Sequence, residues 1–361
     1  MRVFQTYGLQ ATYKPRLRGL RAGAASFREM RAILLGDRFG AVHLLQPCLS
    51  GDPEAFLTAG NDEEMQRAWA AENGLPATAG PDEILLAQIE AHRTEIFYNC
   101  DPMNFGNAFL KRLPGSVRRT IAWRAAPSEG GDFLDHDLIV NNFPSLLARF
   151  RAQGARAELF TPGHDPEMDA YAARAERPID LLFVGGFSRH HRRRAEALRR
   201  AAGLRDRYRL VFCLDPSRLT RLAETPLGLA GPLRRHRRPA EIRAVAAPPV
   251  YGRDLYAMIG QAKLVLNGAV DMAGAARGNM RMWEAMGCGA AMVSDAGDYP
   301  DGMVAGDTFL DYSDGQQMIG AIETLLERGD QRKAMASRAH AMISSRYSKS
   351  AQWGAFQRLC E

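Results

Sequence analysis

What most constrains this chain is its rhythm. Short apolar runs alternate, along almost its whole length, with longer stretches whose apolar residues recur at helical spacing. Such a chain builds parallel sheets covered by helices, because each parallel strand needs a crossover before the next can pair with it. In the first half, RVFQTY (2–7), AVHLLQ (41–46), EIFYNC (95–100), RTIAW (119–123), DLIVNN (137–142) and RAELF (156–160) are predicted strands. SFREMRAILLG and PDEILLAQIEAHR are predicted helices, the second opening on Pro81, Asp82 and Glu83, a favoured helix start. The rhythm breaks at TPGHDPEMDAYAARAERP (161–178) and resumes with IDLLFVGG, RLVFCL (209–214), LVLNGA (264–269) and AAMVSD (290–295). Amphipathic helices are predicted near 315–328 and 330–346.

At 361 residues the chain exceeds what one core usually fills. The expected organisation is a Rossmann-like domain over 1–165, a linker over 166–178, a second Rossmann-like domain over 179–345, and a C-terminal helix, 346–361, that packs back on the first domain. The fold class is α/β, with two parallel sheets facing a central cleft. Ligands in open sheets of this kind sit at the carboxyl ends of the strands.

Five scattered cysteines, never spaced C-x-x-C, speak against a disulfide framework or a zinc site and for a reducing, cytoplasmic compartment. The N-terminus enters a strand pattern without an apolar signal core, and no window approaches the roughly 18 apolar residues of a membrane span. The formal charge of +6 invites an acidic partner, but only five of the 47 basic residues are Lys, which reads as coding bias. The Arg-rich runs at 189–194 and 234–239 lack interleaved aromatics and any helix–turn–helix or RNA-binding signature, so no nucleic-acid partner is expected. Arg16, Arg18 and Arg21 would suit peripheral contact with the inner face of a membrane; a solvated loop explains them equally well.

Two stretches carry candidate chemistry. In GNMRMWEAMGCGAAMVSD (278–295), Gly278 or Asn279 would start a helix whose free N–H groups, with Met280 and Arg281 in the first turn, form a seat for a diphosphate. Glu284 lies too deep for a capping box, and a carboxylate there accepts from two vicinal hydroxyls, as a ribose offers. An Arg281–Glu284 ion pair on an exposed helix face fits the same spacing. In LLFVGGFSRHHRRRAEALRR (181–200), a strand ends at Gly185 and Gly186 and a helix is expected to begin near Ser188, placing Arg189 against the same diphosphate. This stretch is neither G-x-G-x-x-G nor a P-loop, and Arg192–Arg194 also fit a solvated basic face. DHD (135–137) precedes a strand and reads as a turn; no G-x-S-x-G elbow and no histidine spacing for a metal occurs, so no metal site is expected.

The ordered whole of residues 253–347, with EAMGCG…MVSD, GDYPDGMVAGDTFL and a closing helix pair, resembles the C-terminal domain of group-1, family-4-like glycosyltransferases of GT-B architecture, nearest to the spore-maturation-type branch. The resemblance is diffuse in the first half. It implies transfer of a sugar from a nucleotide-diphosphate sugar to a glycan, lipid-linked or protein acceptor, retaining, with no cofactor and no metal. Glu284 matches the second Glu of the family's Glu-x7-Glu signature and would hold the ribose. Arg281 and Asn279 would hold the diphosphate, and the nucleobase would stack near Tyr251. The first Glu of the signature is replaced by Ala276, which leaves sugar choice and stereochemical outcome open. Where the family often carries a His after the strand matching TIAW, this chain has Trp123 and Arg124; Asp101, after EIFYNC, is the candidate for acceptor activation, and it also fits a strand-end turn. His164 could reach the cleft from the linker, or be merely solvated. A nucleotide-sugar epimerase and a non-catalytic nucleotide-sugar binder are the alternatives.

Overall fold

The computed structural model describes residues 1–128, 130–187, 191–268 and 274–361. The chain divides into two compact units, Met1–Gly163 joined by Tyr347–Glu361, and His164–Arg346.

The first unit carries a six-stranded, fully parallel sheet: β1 (Val3–Tyr7), β2 (Ala55–Thr58), β3 (Ile96–Cys100), β4 (Arg119–Trp123), β5 (Leu138–Asn141) and β6 (Ala157–Leu159), in the order β2-β1-β3-β4-β5-β6. Alternate residues feed the two faces, as the pleat requires. Val3, Ile96, Tyr98, Ile121 and Val140 pack with Phe356 and Leu359 of the helix Lys349–Cys360, while Phe4 and Phe97 meet Leu85, Ile89 and Phe109. The C-terminal helix is therefore a core element of the first unit. Phe356 is fully buried, and such burial is worth about 1.5–3 kcal/mol.

The predicted strand at 41–46 does not form. Ala41–His43 is a 3₁₀ turn and Gln46–Ser50 a short helix with Pro47 in its first turn; the strand beside β1 is β2, further along the chain. The carbonyls of Ala41, Val42 and Leu44 accept from Lys349 Nζ at 2.6, 3.2 and 2.7 Å. Gln5 serves two more backbone groups, donating to the His43 carbonyl and accepting from the Leu45 N–H. A buried backbone must find partners somewhere, and here side chains satisfy it in place of a ladder.

The second unit repeats the architecture with β7 (Ile179–Gly185), β8 (Leu210–Leu214), β9 (Ala246–Ala247), β10 (Ala262–Leu266), β11 (Ala291–Asp295) and β12 (Leu310–Tyr312), all parallel, in the order β12-β11-β10-β7-β8-β9. Leu181, Phe183, Leu264, Leu266 and Val293 pack against Leu198, Met318, Ile322 and Met335. The last two come from Gly315–Glu327 and Gly329–Arg346, the two predicted helices. Residues 166–178, expected as a linker, fold onto this unit. Pro166–Met168 and Asp169–Ala172 are helical turns, and Arg177 donates to the carbonyls of Tyr171, Ala172, Ile259, Ala262 and Cys288.

Each sheet has a switch point, where strands added earlier lie to one side and strands added later to the other. In the first sheet it lies between β1 and β3, in the second between β7 and β10. In open sheets of this kind ligands bind at the carboxyl edge of such a point. No helix among the described residues is long and apolar enough to cross a membrane.

Candidate nucleotide site

The β7/β10 switch point of the second unit gathers the candidate residues. β7 ends at Gly185 with Gly186 beyond it. Ser188 and Arg189, expected to meet a diphosphate, lie outside the described residues. The following helix, Arg192–Ala202, starts four residues later than the sequence predicts. Arg194 in its first turn is not simply solvated: its Nη2 donates to the Gly268 carbonyl at 2.6 Å, tying this helix to the loop after β10.

From that loop the chain reaches the helix Met280–Gly287, whose N-terminus faces the carboxyl edge because the helix leads into β11. Asn279, preceded by Gly278, is its N-cap, with extended backbone, but its side chain does not cap. Asn279 Nδ2 instead donates to Asn267 Oδ1 at 2.8 Å, Asn267 Nδ2 donates to Ser294 Oγ at 2.9 Å, and Tyr299 Oη lies 2.6 Å from Ser294 Oγ. This polar chain crosses the ends of β10 and β11 and leaves the first helical N–H groups, Met280 and Arg281 among them, aimed outward with the positive end of the helix dipole. Among the described residues, Asn279 Oδ1 and Arg281 Nε are buried without a hydrogen-bond partner. Both atoms stand at the start of the helix, where a ligand on its N-terminus could bond them.

Arg281 Nη1 donates to Glu284 Oε2 at 2.5 Å. The pair suggested by spacing therefore exists, but not on an exposed face: Glu284 is 3% exposed. Burial pushes its carboxyl above the usual range and Arg281 pulls it back. The helix ends at Gly287, and Gly289 after its C-cap has φ +69°; a Cβ there would stand 2.9 Å from Ala172 Cα, so both the turn into β11 and the close approach require glycine. Ala276 is buried in a parallel bridge with Asp298, beside Arg277, which donates to the carbonyls of Gly274, Ala275 and Ala296. Tyr251 follows β9, two strands from the switch point on the same edge.

In the first unit, Asp101 sits at the β1/β3 switch point. Gly8, just past β1, admits it: a Cβ on Gly8 would stand 3.0 Å from Asp101 Cγ. Burial raises the Asp101 carboxyl, while hydrogen bonds from Asn104 and the charges of Arg124 and Lys14 lower it. His43, which sequence reasoning passed over, packs on Trp123 with ring centroids 4.7 Å apart, and burial drives it down to about 3, so it is neutral. His164 is neither solvated nor at a strand end. It is 2% exposed and bonds Asp169 Oδ1, which His340 also reaches. Among the described residues these three form a group with ligand atoms within 4.8 Å of one another, away from the helix N-terminus. Asp137 is an exposed turn residue, accepting from the backbone and hydroxyl of Thr120.

Residues 205–357 match a family described as Glycosyl transferase-like. No curated protein matches the sequence. Among solved structures, HepE of Anabaena, in complex with UDP and glucose, is 14% identical over 99% of both chains with a TM-score of 0.60. Sucrose-phosphate synthase from Thermosynechococcus elongatus is 11% identical over 99% of this chain and 98% of its own, with a TM-score of 0.55. TarM of S. aureus, solved with UDP, is 11% identical over 78% of this chain and 59% of its own, with a TM-score of 0.54. These likenesses show the fold: it is that of GT-B glycosyltransferases.

Proposed function

We propose that the protein is a glycosyltransferase that takes a sugar from a nucleotide-diphosphate donor, with the second unit as donor site. One observation carries this reading: the helix Met280–Gly287 presents its N-terminus, an unsatisfied Arg281 Nε and an unsatisfied Asn279 Oδ1 at the switch point, with a buried carboxylate one turn behind. The diphosphate docks on the N–H groups and Arg281, alongside Gly186, and Glu284 accepts from the ribose hydroxyls. Tyr251, which follows β9 on the same sheet edge, is the residue on which the base would stack. The solved HepE complexes with UDP and UDP-glucose make a uridine diphosphate sugar the first donor to test.

Fixed donors and the helix dipole would stabilise the departing diphosphate where negative charge develops, which supports transfer without a divalent metal; retention and a hexose as the transferred sugar are what the group-1 resemblance implies. The acceptor, a glycan, lipid-linked or protein hydroxyl, goes to the first unit, where Asp101 takes up its proton. Within the group-1 family, motif order favours the spore-maturation-type branch. Unpaired cysteines fit action on the cytoplasmic side.

Thermal shift against UDP, GDP, dTDP, CMP and ADP and their sugars tests the donor site. A ligand at 100 times its dissociation constant adds about 2.7 kcal/mol, so one diphosphate family should raise the melting temperature and the others should not. A flat response to all of them would remove the reading. Asp101→Asn should lower turnover by roughly 100- to 10,000-fold with donor binding intact. Since its carboxyl is raised, wild-type turnover should fall as pH drops through that value. An Asp101→Asn enzyme with normal turnover would make Asp101 a turn residue only.

A further inference from the structure

The second unit has a second concave surface, at the other edge of its sheet. A cavity of about 560 Å³ lies where β7, β10 and β11 begin, lined by Arg174, Arg177, Lys263, Arg332 and Lys333 with Asp169. That volume suits a small-molecule ligand. The charges are uneven. Several cations of this unit meet acids, as in Arg199–Glu241, Arg238–Glu224, Arg338–Asp307 and Arg346–Asp301. Of the cavity cations only Lys263 does so, with Asp180 at 2.6 Å. Among the described residues Arg174, Arg177, Arg332 and Lys333 have no carboxylate at ion-pair distance. Asp169 is itself held by His164 and His340 at 2.8 and 2.9 Å.

The cations are also held in place. Arg177 is gripped by five backbone carbonyls and Arg332 by those of Leu325 and Leu326. Carbonyl dipoles fix a guanidinium without cancelling its charge, and half-buried cations lacking a counter-ion are costly. Burial lowers the pKa of both groups. An anion entering the cavity relieves that cost, and guanidinium groups recognise phosphate by shape as well as charge.

We propose that this cavity is a second anion site that binds a phosphate-bearing ligand of pyrophosphate to sugar-phosphate size, separate from the nucleotide site on the opposite sheet edge. Arg177 also donates to the Cys288 carbonyl at 2.9 Å and Gly289 lines the cavity, so an occupant would lie against the turn that follows the helix carrying the donor residues.

The test is calorimetric titration of the full chain with inorganic pyrophosphate at low salt, in three proteins. Arg174→Gln/Lys333→Gln alters two exposed side chains, so an unchanged melting temperature certifies its fold; Arg281→Met/Glu284→Leu disables the nucleotide site. The expected result is a loss of about tenfold or more in affinity in the first variant, with binding kept in the second. Affinity equal to wild type in Arg174→Gln/Lys333→Gln, binding lost only in Arg281→Met/Glu284→Leu, or no binding to the wild type overturns the proposal. The failure of the donor reading shows separately, as nucleotide affinity unaffected by the second variant. Co-sedimentation with phosphatidylcholine vesicles carrying phosphatidic acid identifies the source. Pelleting that pyrophosphate competes away and Arg174→Gln/Lys333→Gln abolishes assigns a lipid headgroup; no pelleting, beside the expected titration, assigns a free phosphate compound.

Discussion

Arg281→Ala should destabilise the protein by about 3–5 kcal/mol at neutral pH, whereas Arg281→Met/Glu284→Leu should recover most of that loss. Removing one partner of a buried pair leaves an uncompensated charge, but replacing both with apolar groups is often close to neutral. Glu284 is 3% exposed and its partner is Arg281. Its carboxyl is already raised by burial and is restrained by that guanidinium. Without Arg281 it rises further. An acid whose folded pKa lies above its unfolded value contributes stability that is fully present below the unfolded pKa and is lost as pH rises through the folded one. The deficit of Arg281→Ala should therefore be small near pH 4 and grow toward pH 7. Urea denaturation across that range measures it. A deficit that does not change with pH would show that Arg281 stabilises by packing alone. The recovered double variant should still fail to bind nucleotide, which separates folding from function in the same pair of residues.

The outcome at this pair shows what a sequence can and cannot carry. Spacing put Arg281 and Glu284 within reach of each other, and the apolar neighbours Met282, Trp283, Ala285 and Met286 hinted at burial; all four are fully buried. Strand rhythm locates nine of the twelve strands to within a few residues; β2 is placed wrongly at 41–46, and the short β9 and β12 have no apolar run that reads as a strand. AVHLLQ looks like a strand because nothing local shows that Lys349, some 300 residues away in the chain, will take its carbonyls. Asn267, Ser294 and Tyr299 went unnoticed for a related reason. Each is an ordinary residue near the end of a strand, and only the parallel register of β10 against β11 brings them onto one polar chain with Asn279. Arg194 reads as a solvated residue in a run of arginines until the loop after β10 arrives beside it. Local chemistry announces charge and turn; partnership across the sheet appears only once the chain is folded.

Glu284→Gln should weaken nucleotide-diphosphate binding by roughly 10- to 100-fold, the scale of about 1.5–3 kcal/mol for hydrogen bonds to a charged group. Glutamine keeps the size of the side chain, so the helix and its packing stay in place. What it lacks is a second acceptor oxygen and the charge that holds Arg281. The pH dependence gives the stronger discrimination. If ribose hydroxyls donate to an ionised Glu284, wild-type affinity should be fully present above the raised pKa of that carboxyl and fall as pH drops through it, whereas Glu284→Gln should show no such step. Calorimetric titrations of the preferred nucleotide between about pH 5 and 8 would read both effects. An unchanged affinity in Glu284→Gln would reduce the carboxylate to a partner that orients Arg281. The diphosphate would then be held by the helix N-terminus and the guanidinium, and recognition of the ribose would have to come from the other strand ends.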